Sequence, residues 1–198
     1  MIKEFHIKVT PEELLIANQE MKKYLKESEG YPSVPHVMDL IKDLHAHGLR
    51  LIIASSSSPE EIEAVMDALK IRDEFEGYVS GMMVSNPKPS PDIFLAAVAK
   101  LQINPSECIV IEDSMNGVNA AFAAGITCIG FVNPNSGNQD LSKAAMLAEG
   151  FEEIDYKFMV NIYDEFHREA KAIITTTRLI LRELIFSRNM KYPGSLPS

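Results

Sequence analysis

Two adjacent carboxylates, Glu112 and Asp113, come directly after the short apolar run Cys108 to Ile111. A four-serine string, Ser55 to Ser58, follows the apolar run Leu49 to Ala54, and one lysine, Lys88, stands between Pro87 and Pro89 in Pro-Lys-Pro-Ser-Pro-Asp, residues 87 to 92. Hydroxyls and an ammonium are suited to phosphoryl oxygens. Neighbouring carboxylates suit a hard cation, which is held by few protein oxygens and several waters. Together they are the ingredients of a magnesium-dependent phosphate site, provided the fold brings them to one place.

The apolar pattern supplies that place. Val37, Leu40, Ile41 and Leu44 recur at helical spacing, and Gly48 stands where a helix stops. Leu49 to Ala54 is a continuous apolar run of strand length. Pro59 suits the first turn of a helix whose stripe is Ile62, Val65, Met66 and Leu69. Further helices are predicted from Pro91 to Leu101, from Asn116 to Ala124 and from Tyr156 to Ala170, with strands at Cys108 to Ile111 and Thr127 to Val132. Before all of these, Thr10 and Glu13 form a capping box for a mainly polar helix over Pro11 to Glu29. Short apolar strands alternating with helices of about ten residues predict an α/β fold with a parallel sheet. In such sheets ligands collect at the carboxyl ends of the strands. Ser55 and the Glu112-Asp113 pair fall at two such ends.

Composition narrows the partners. The 198 residues hold 19 basic and 28 acidic residues, a formal net charge of −9, and no Lys/Arg-rich block. That argues against a nucleic-acid partner and against an anionic membrane surface. The longest apolar runs are too short to span a bilayer, and the N-terminus has no signal-peptide core. A cytoplasmic protein is expected, with Cys108 and Cys128 as buried, inert thiols. His36, His45 and His47 lie on or beside the first amphipathic helix and read as solvated, and Met82-Met83 as packing. Ser114 and Asn116 are placed either to support a metal shell or to cap the following helix, the cap being preferred.

Three strings carry a resemblance to a known family: Ile-Ile-Ala-Ser-Ser-Ser (52 to 57), Lys-Pro-Ser-Pro-Asp-Ile-Phe (88 to 94) and Val-Ile-Glu-Asp-Ser-Met-Asn-Gly (110 to 117). In order and spacing they resemble the second, third and fourth motifs of the haloacid dehalogenase (HAD) superfamily, and within it the β-phosphoglucomutase-like group of sugar-phosphate phosphatases and mutases. The resemblance runs from about Val9 to His167. It implies a Rossmann-like parallel sheet of HAD type and Mg2+-dependent phosphoryl transfer on a small phosphorylated metabolite through an aspartyl-phosphate. Carried over by position, Ser55 resembles the hydroxyl that holds the transferring phosphoryl group, with Ser56 and Ser57 beside it. Lys88 resembles the lysine that neutralises charge on the nucleophile and the phosphoryl oxygens. Glu112 and Asp113 resemble the metal-binding pair.

One part of the family pattern has no counterpart. The nucleophile of the family is the first aspartate of an Asp-x-Asp motif on the central strand, and the second aspartate is its acid and base. No Asp-x-Asp occurs in these 198 residues, and Asp39 and Asp43, the only aspartates before Ser55, lie on a predicted helix. The fold is therefore expected to be N-terminally truncated, with residues 1–30 a remnant of a helical cap, 31–170 the HAD-like core and 171–198 a C-terminal extension. Two strand edges would stand unpaired where the central strand belongs unless another segment fills the slot. The chain alone is then expected to be inactive, as a fragment or binding module, with a complementary N-terminal segment in trans as one way to complete it.

At the other end, Ile174-Thr-Thr-Thr-Arg-Leu-Ile-Leu-Arg-Glu-Leu184 resembles the opening strand of GCN5-related N-acetyltransferases. This implies a phosphatase-acetyltransferase fusion and the start of a second domain. Residues 174–184 are expected to form either a strand added to this sheet or a poorly packed tail, the tail being preferred.

Overall fold

A computed structural model describes residue 31, residues 33–166 and, by backbone alone, residues 178–181. The chain divides into two compact units, Met1–Pro32 and Ser33–Ser198. The helix expected over Pro11 to Glu29 lies outside the described residues.

The second unit follows the alternation predicted from the apolar runs. Helix α1 (Val37–Ala46) buries Val37, Leu40, Ile41 and Leu44. It ends before Gly48, whose φ of 79° needs a residue without a Cβ. Strand β1 (Arg50–Ser55) starts one residue later than the apolar run suggests, because the Leu49 amide still donates to Leu44 of the helix end. Helix α2 (Pro59–Ala68) is capped by Ser58, whose hydroxyl accepts from the Glu61 amide at 3.3 Å. After the short strand β2 (Tyr78–Ser80) come helix α3 (Asp92–Leu101) and strand β3 (Cys108–Glu112), buried at every residue. Helix α4 (Met115–Ala123), strands β4 (Thr127–Phe131) and β5 (Met146–Ala148) and helix α5 (Tyr156–Phe166) follow. The last strand, β6, is Arg178–Leu181. The three-residue strands β2 and β5 were not foreseen.

Among the described residues these strands form one six-stranded sheet in the order β2-β1-β6-β3-β4-β5, and every pairing is parallel. Side chains of alternate residues go to opposite faces of a strand. Ile52, Ala54, Cys108 and Val110 join a core with Phe94, Val98 and Leu101 of α3 and Val118, Ala120 and Ala121 of α4. Leu51, Ile53, Ile109 and Ile111 are equally buried. With apolar residues covered on both faces, the central strands read as continuous apolar runs.

The C-terminal segment corrects the preferred expectation of a tail. Strand β6 pairs with β1 and β3 together: Arg50, Leu51, Ile52 and Ile53 stand opposite Arg178 to Leu181 on one side, and Cys108 to Ile111 stand opposite them on the other. The slot between β1 and β3 is thus filled by residues from the far end of the same chain. The two edges that would otherwise expose rows of unpaired amides and carbonyls are satisfied.

Candidate active site

The carboxyl ends of β1 and β3 carry the residues singled out by their chemistry. Leu181, the last residue of β6, is level with Ile53 and Ile111. Ala54 and Glu112 therefore stand one step past the end of β6 on either side. Strands two places apart in a sheet are separated by roughly 9–10 Å. Lys88 reaches both: its Nζ donates to Glu112 Oε1 at 2.9 Å and to the Ala54 carbonyl at 3.3 Å. The ammonium sits 4.5 Å from the centre of the Phe94 ring, a cation-π contact made possible in a desolvated place.

The string Lys88-Pro-Ser-Pro-Asp-Ile-Phe94 can be read as the device that puts that ammonium there. Asp92, at the start of α3, accepts from Ser90 Oγ at 2.6 Å and from the Asn86 amide and side-chain nitrogen at 3.2 and 2.9 Å, closing the loop over residues 86–92. These hydrogen bonds hold the Asp92 carboxyl below its ordinary range, that from Ser90 most. The Lys88-Pro89 peptide is cis. Phe94, fully buried and two residues past Asp92, supplies the ring.

The Lys88–Glu112 pair is buried, with side chains 3% and 0% exposed. Attraction offsets the cost of removing two charges from water only when the remaining polar atoms are also satisfied. Ser114 does this for Glu112: its amide and its hydroxyl each donate to Oε2 at 3.1 Å. The same hydroxyl accepts from the Gly117 amide at 3.1 Å, so Ser114 both caps α4 and fastens Glu112. Gly117 is indispensable to the fit, since a Cβ there would lie 1.9 to 2.2 Å from the Glu112 carboxyl group. Burial pushes the nearby Cys128 thiol well up, and the Glu112 charge adds to the effect while Lys88 opposes it. Cys108 and Cys128 are both buried free thiols, as expected.

Asp113 is also buried, but its partners come from elsewhere. Asn133 Nδ2 and Ser136 Oγ both donate to its Oδ2, at 2.8 and 2.6 Å. Its Oδ1 has no hydrogen bond among the described residues. No group of three or more histidine, cysteine or acidic side chains able to hold a metal occurs among them. The donors present therefore fit a hard cation that takes one carboxylate oxygen and keeps most of its waters. Both oxygens of Glu112 are already engaged.

The serines divide by environment. Ser55 and Ser57 are buried and Ser56 is exposed. Ser55 Oγ accepts from the Ser57 amide at 3.1 Å, which folds the loop back over the strand end. Ser80, fully buried at the end of β2, donates to the Ser57 carbonyl at 2.6 Å. Ser80, Asn133 and Ser136 were not singled out by their chemistry, since each acts on a residue distant in sequence, nor was Gly117, which acts by leaving space; Asp92 stood in the Lys88 to Phe94 string without a role of its own. Asn116 is exposed on the first turn of α4. His36, His45 and His47 lie at the surface: His45 pairs with Glu74, and His47 with Asp43 and the Tyr156 ring.

A parallel sheet carries a lysine-carboxylate pair and a serine loop at its carboxyl ends, where ligands collect in open α/β folds. The family model for haloacid dehalogenase-like hydrolases matches residues 3–125. The chain belongs to that family. It is 34% identical over 125 residues to protein CbbY of Cereibacter sphaeroides, covering 61% of this chain and 54% of that protein. To hexitol phosphatase B of Escherichia coli K12 it is 32% identical over 110 residues, covering 56% and 50%. The chain thus spans about half the length of these curated relatives. Among solved structures, CbbY from Rhodobacter sphaeroides in complex with phosphate superposes with a TM-score of 0.63 at 30% identity, covering 77% of this chain and 69% of that one. A point mutant of the same CbbY in complex with xylulose-(1,5)bisphosphate gives 0.63 at 30%, covering 73% and 67%. β-Phosphoglucomutase from Clostridium difficile gives 0.63 at 24%, covering 79% and 70%, a likeness of fold. No helix among the described residues is long and apolar enough to cross a membrane.

Proposed function

We propose that the chain carries the phosphate- and magnesium-binding half of a HAD-like phosphatase or phosphomutase acting on a small phosphorylated sugar in the cytoplasm. The observation that carries this reading is the buried ammonium of Lys88, held between Ala54 and Glu112 at the mouth of the sheet. Ser55, with Ser56 and Ser57, would receive phosphoryl oxygens. Lys88 would neutralise charge building on them in a place where water screens little. Asp113 would hold Mg2+, while Glu112, expected from the sequence to share the metal, would instead fix Lys88, because both of its oxygens are engaged. When bound, the cation would supply further charge neutralisation at the phosphoryl group.

Covalent transfer also needs a carboxylate nucleophile in line with phosphorus. These 198 residues contain no Asp-x-Asp, and Asp39 and Asp43 belong to α1 and not to the residues that follow a strand. The chain by itself is therefore a binding module in our reading, without turnover. A complementary segment bearing Asp-x-Asp, supplied in trans, would have to displace β6 from the central slot. The presence of β6 there favours the binding module over a ready-made split enzyme. A phosphatase-acetyltransferase fusion stays a third reading, resting on residues 174–184 alone.

Two assays test this. In 31P NMR, inorganic phosphate should broaden on adding the chain with Mg2+, and Lys88→Ala should abolish the effect. An unchanged line with wild type would contradict the phosphate site. Hydrolysis of an aryl phosphate and of β-glucose 1-phosphate should be absent for the chain alone. Magnesium-dependent turnover by the chain alone, lost in Lys88→Ala, would overturn the binding-module reading, whereas turnover only after adding an Asp-x-Asp segment would support completion in trans.

A further inference from the structure

The loop after β4 does something that the site residues read from sequence do not explain. Asn133, buried and two residues past the strand, and Ser136, half-buried, send their donors to the same oxygen of Asp113. The loop is internally braced: the Ser136 amide donates to the Asn133 carbonyl at 3.1 Å, and Asn133 Oδ1 accepts from the Asn135 amide at 2.9 Å. Gln139 then fastens it to the helix that follows Asp113. Its Nε2 donates to the Ser136 carbonyl at 2.8 Å, while its Oε1 accepts from the Met115 amide at 3.0 Å, one of the orphan donors at the start of α4.

The chemistry of this arrangement is one-sided. A carboxylate free to rotate offers either oxygen to a cation and loses rotamer freedom when it binds. Here Oδ2 takes two neutral donors, Asn133 Nδ2 and Ser136 Oγ, which restrain the rotation of the carboxylate. Oδ1, without a hydrogen bond among the described residues, is the oxygen left for a ligand. Two neutral donors, unlike a lysine or arginine, keep the full negative charge on the group. Outer hydrogen-bond partners of metal-holding carboxylates orient them and tune affinity in this way.

From this geometry we infer that Asn133 and Ser136, braced by Gln139, are positioning residues that lock one oxygen of Asp113 and present the other to a divalent cation. The inference rests on the reading of Asp113 as the cation residue. It adds to that reading a specific cause, lying beyond β4, for whatever affinity the site has.

The test is Mn2+ binding to the whole 198-residue chain, followed by the EPR signal of free Mn2+, for wild type, Asp113→Asn, Asn133→Ala, Ser136→Ala and Ser136→Thr. Ser136→Ala and Asn133→Ala should each weaken Mn2+ about ten-fold, the low end of the usual range for such partners, and Ser136→Thr, which keeps the hydroxyl, should restore it. In the Asp113→Asn background, Ser136→Ala should bring no further loss. A merely structural role would instead lower the melting temperature without metal and leave the coupling to Asp113 absent. If Asp113→Asn weakens Mn2+ binding while the folded Asn133 and Ser136 variants bind as wild type does, the positioning role is wrong and the cation reading survives. If Asp113→Asn itself binds Mn2+ unchanged, the cation reading fails and takes the positioning role with it. Should Asn133→Ala not fold, Ser136→Ala, which removes one hydroxyl, decides alone.

Discussion

The two flanks of the central slot and the strand inside it reach the same sheet by different routes. Strands β1 and β3 belong to the part of the chain that matches the family, residues 3–125, and end in Ser55 and Glu112. Strand β6 comes from residues 178–181, outside that match, yet pairs in register with both flanks. The flanks carry the residues of the proposed site, whereas β6 closes two hydrogen-bonding edges and stops one step short of Glu112. A slot of this kind is specified mainly by backbone geometry, so a segment distant in the chain can fill it. A site at the end of the same strand is specified by side chains, and a substitute strand need not bring them.

Breaking the strand should have the largest effect. Ile180→Pro removes an amide from the middle of a strand that has a neighbour on each side, where proline is not accommodated. With β6 displaced, the edges of β1 and β3 would both be uncovered. The variant should lose its cooperative thermal transition altogether, a cost above roughly 5 kcal/mol, comparable to the whole stability of many domains. A clean transition within a few degrees of wild type would show that β6 contributes little to the fold.

Breaking the flank's ion pair comes next. Lys88→Met leaves Glu112 buried without its cation and should cost about 3–5 kcal/mol in a denaturant titration. The double variant Lys88→Met, Glu112→Gln should recover a good part of it. A single variant as stable as wild type would mean that the pair is not buried in solution. Gly117→Ala should cost about 1–3 kcal/mol by driving a methyl group into the Glu112 carboxyl group, which Lys88 and Ser114 hold in place.

The difference between the flanks and the slot also explains what could be read in advance. Buried parallel strands are continuous apolar runs, and Gly48, Pro59 and Ser114 mark helix ends, so α1, β1, α2, α3, β3, α4 and β4 were legible to within a residue or two. Ser55, Lys88, Glu112 and Asp113 stood out because they are charged or hydroxylic residues at predicted strand ends or in a proline-bound loop. Strands β2 and β5, three residues each among turns, carry too little periodicity to be seen. Ser80 and Asn133 act on Ser57 and Asp113, 23 and 20 residues away, and nothing local signals such a partnership. Residues 174–184 were recognisable as strand-forming. The place of residues 178–181 in the sheet was not, because it depends on a vacancy between two runs that lie far upstream in the chain.

The smallest expected effect concerns the loop that delivers Lys88. Hydrogen bonds from Ser90 and Asn86 lower the pKa of Asp92 in the folded state. A lowered carboxylate stabilises the fold fully above its unfolded pKa, near ~3.9, and that contribution fades as pH falls through the lower folded value. The loop should therefore loosen only in acid, seen as a fall in the protection factor of the Asn86 amide proton by NMR. Asp92→Asn should abolish that pH step, and a step at the same pH in the variant would assign it to another group.

Whether β6 is a full member of the sheet matters more than any of these side chains. Amide hydrogen exchange on the intact chain measures this directly, because amides that open only with global unfolding share one slow rate. The amides of Leu179, Ile180 and Leu181 should exchange with the slowest class, together with those of Ile52 and Val110 on either side. Rapid exchange in β6 beside slow exchange in β1 and β3 would contradict the central claim that this chain closes its own sheet with its C-terminal strand.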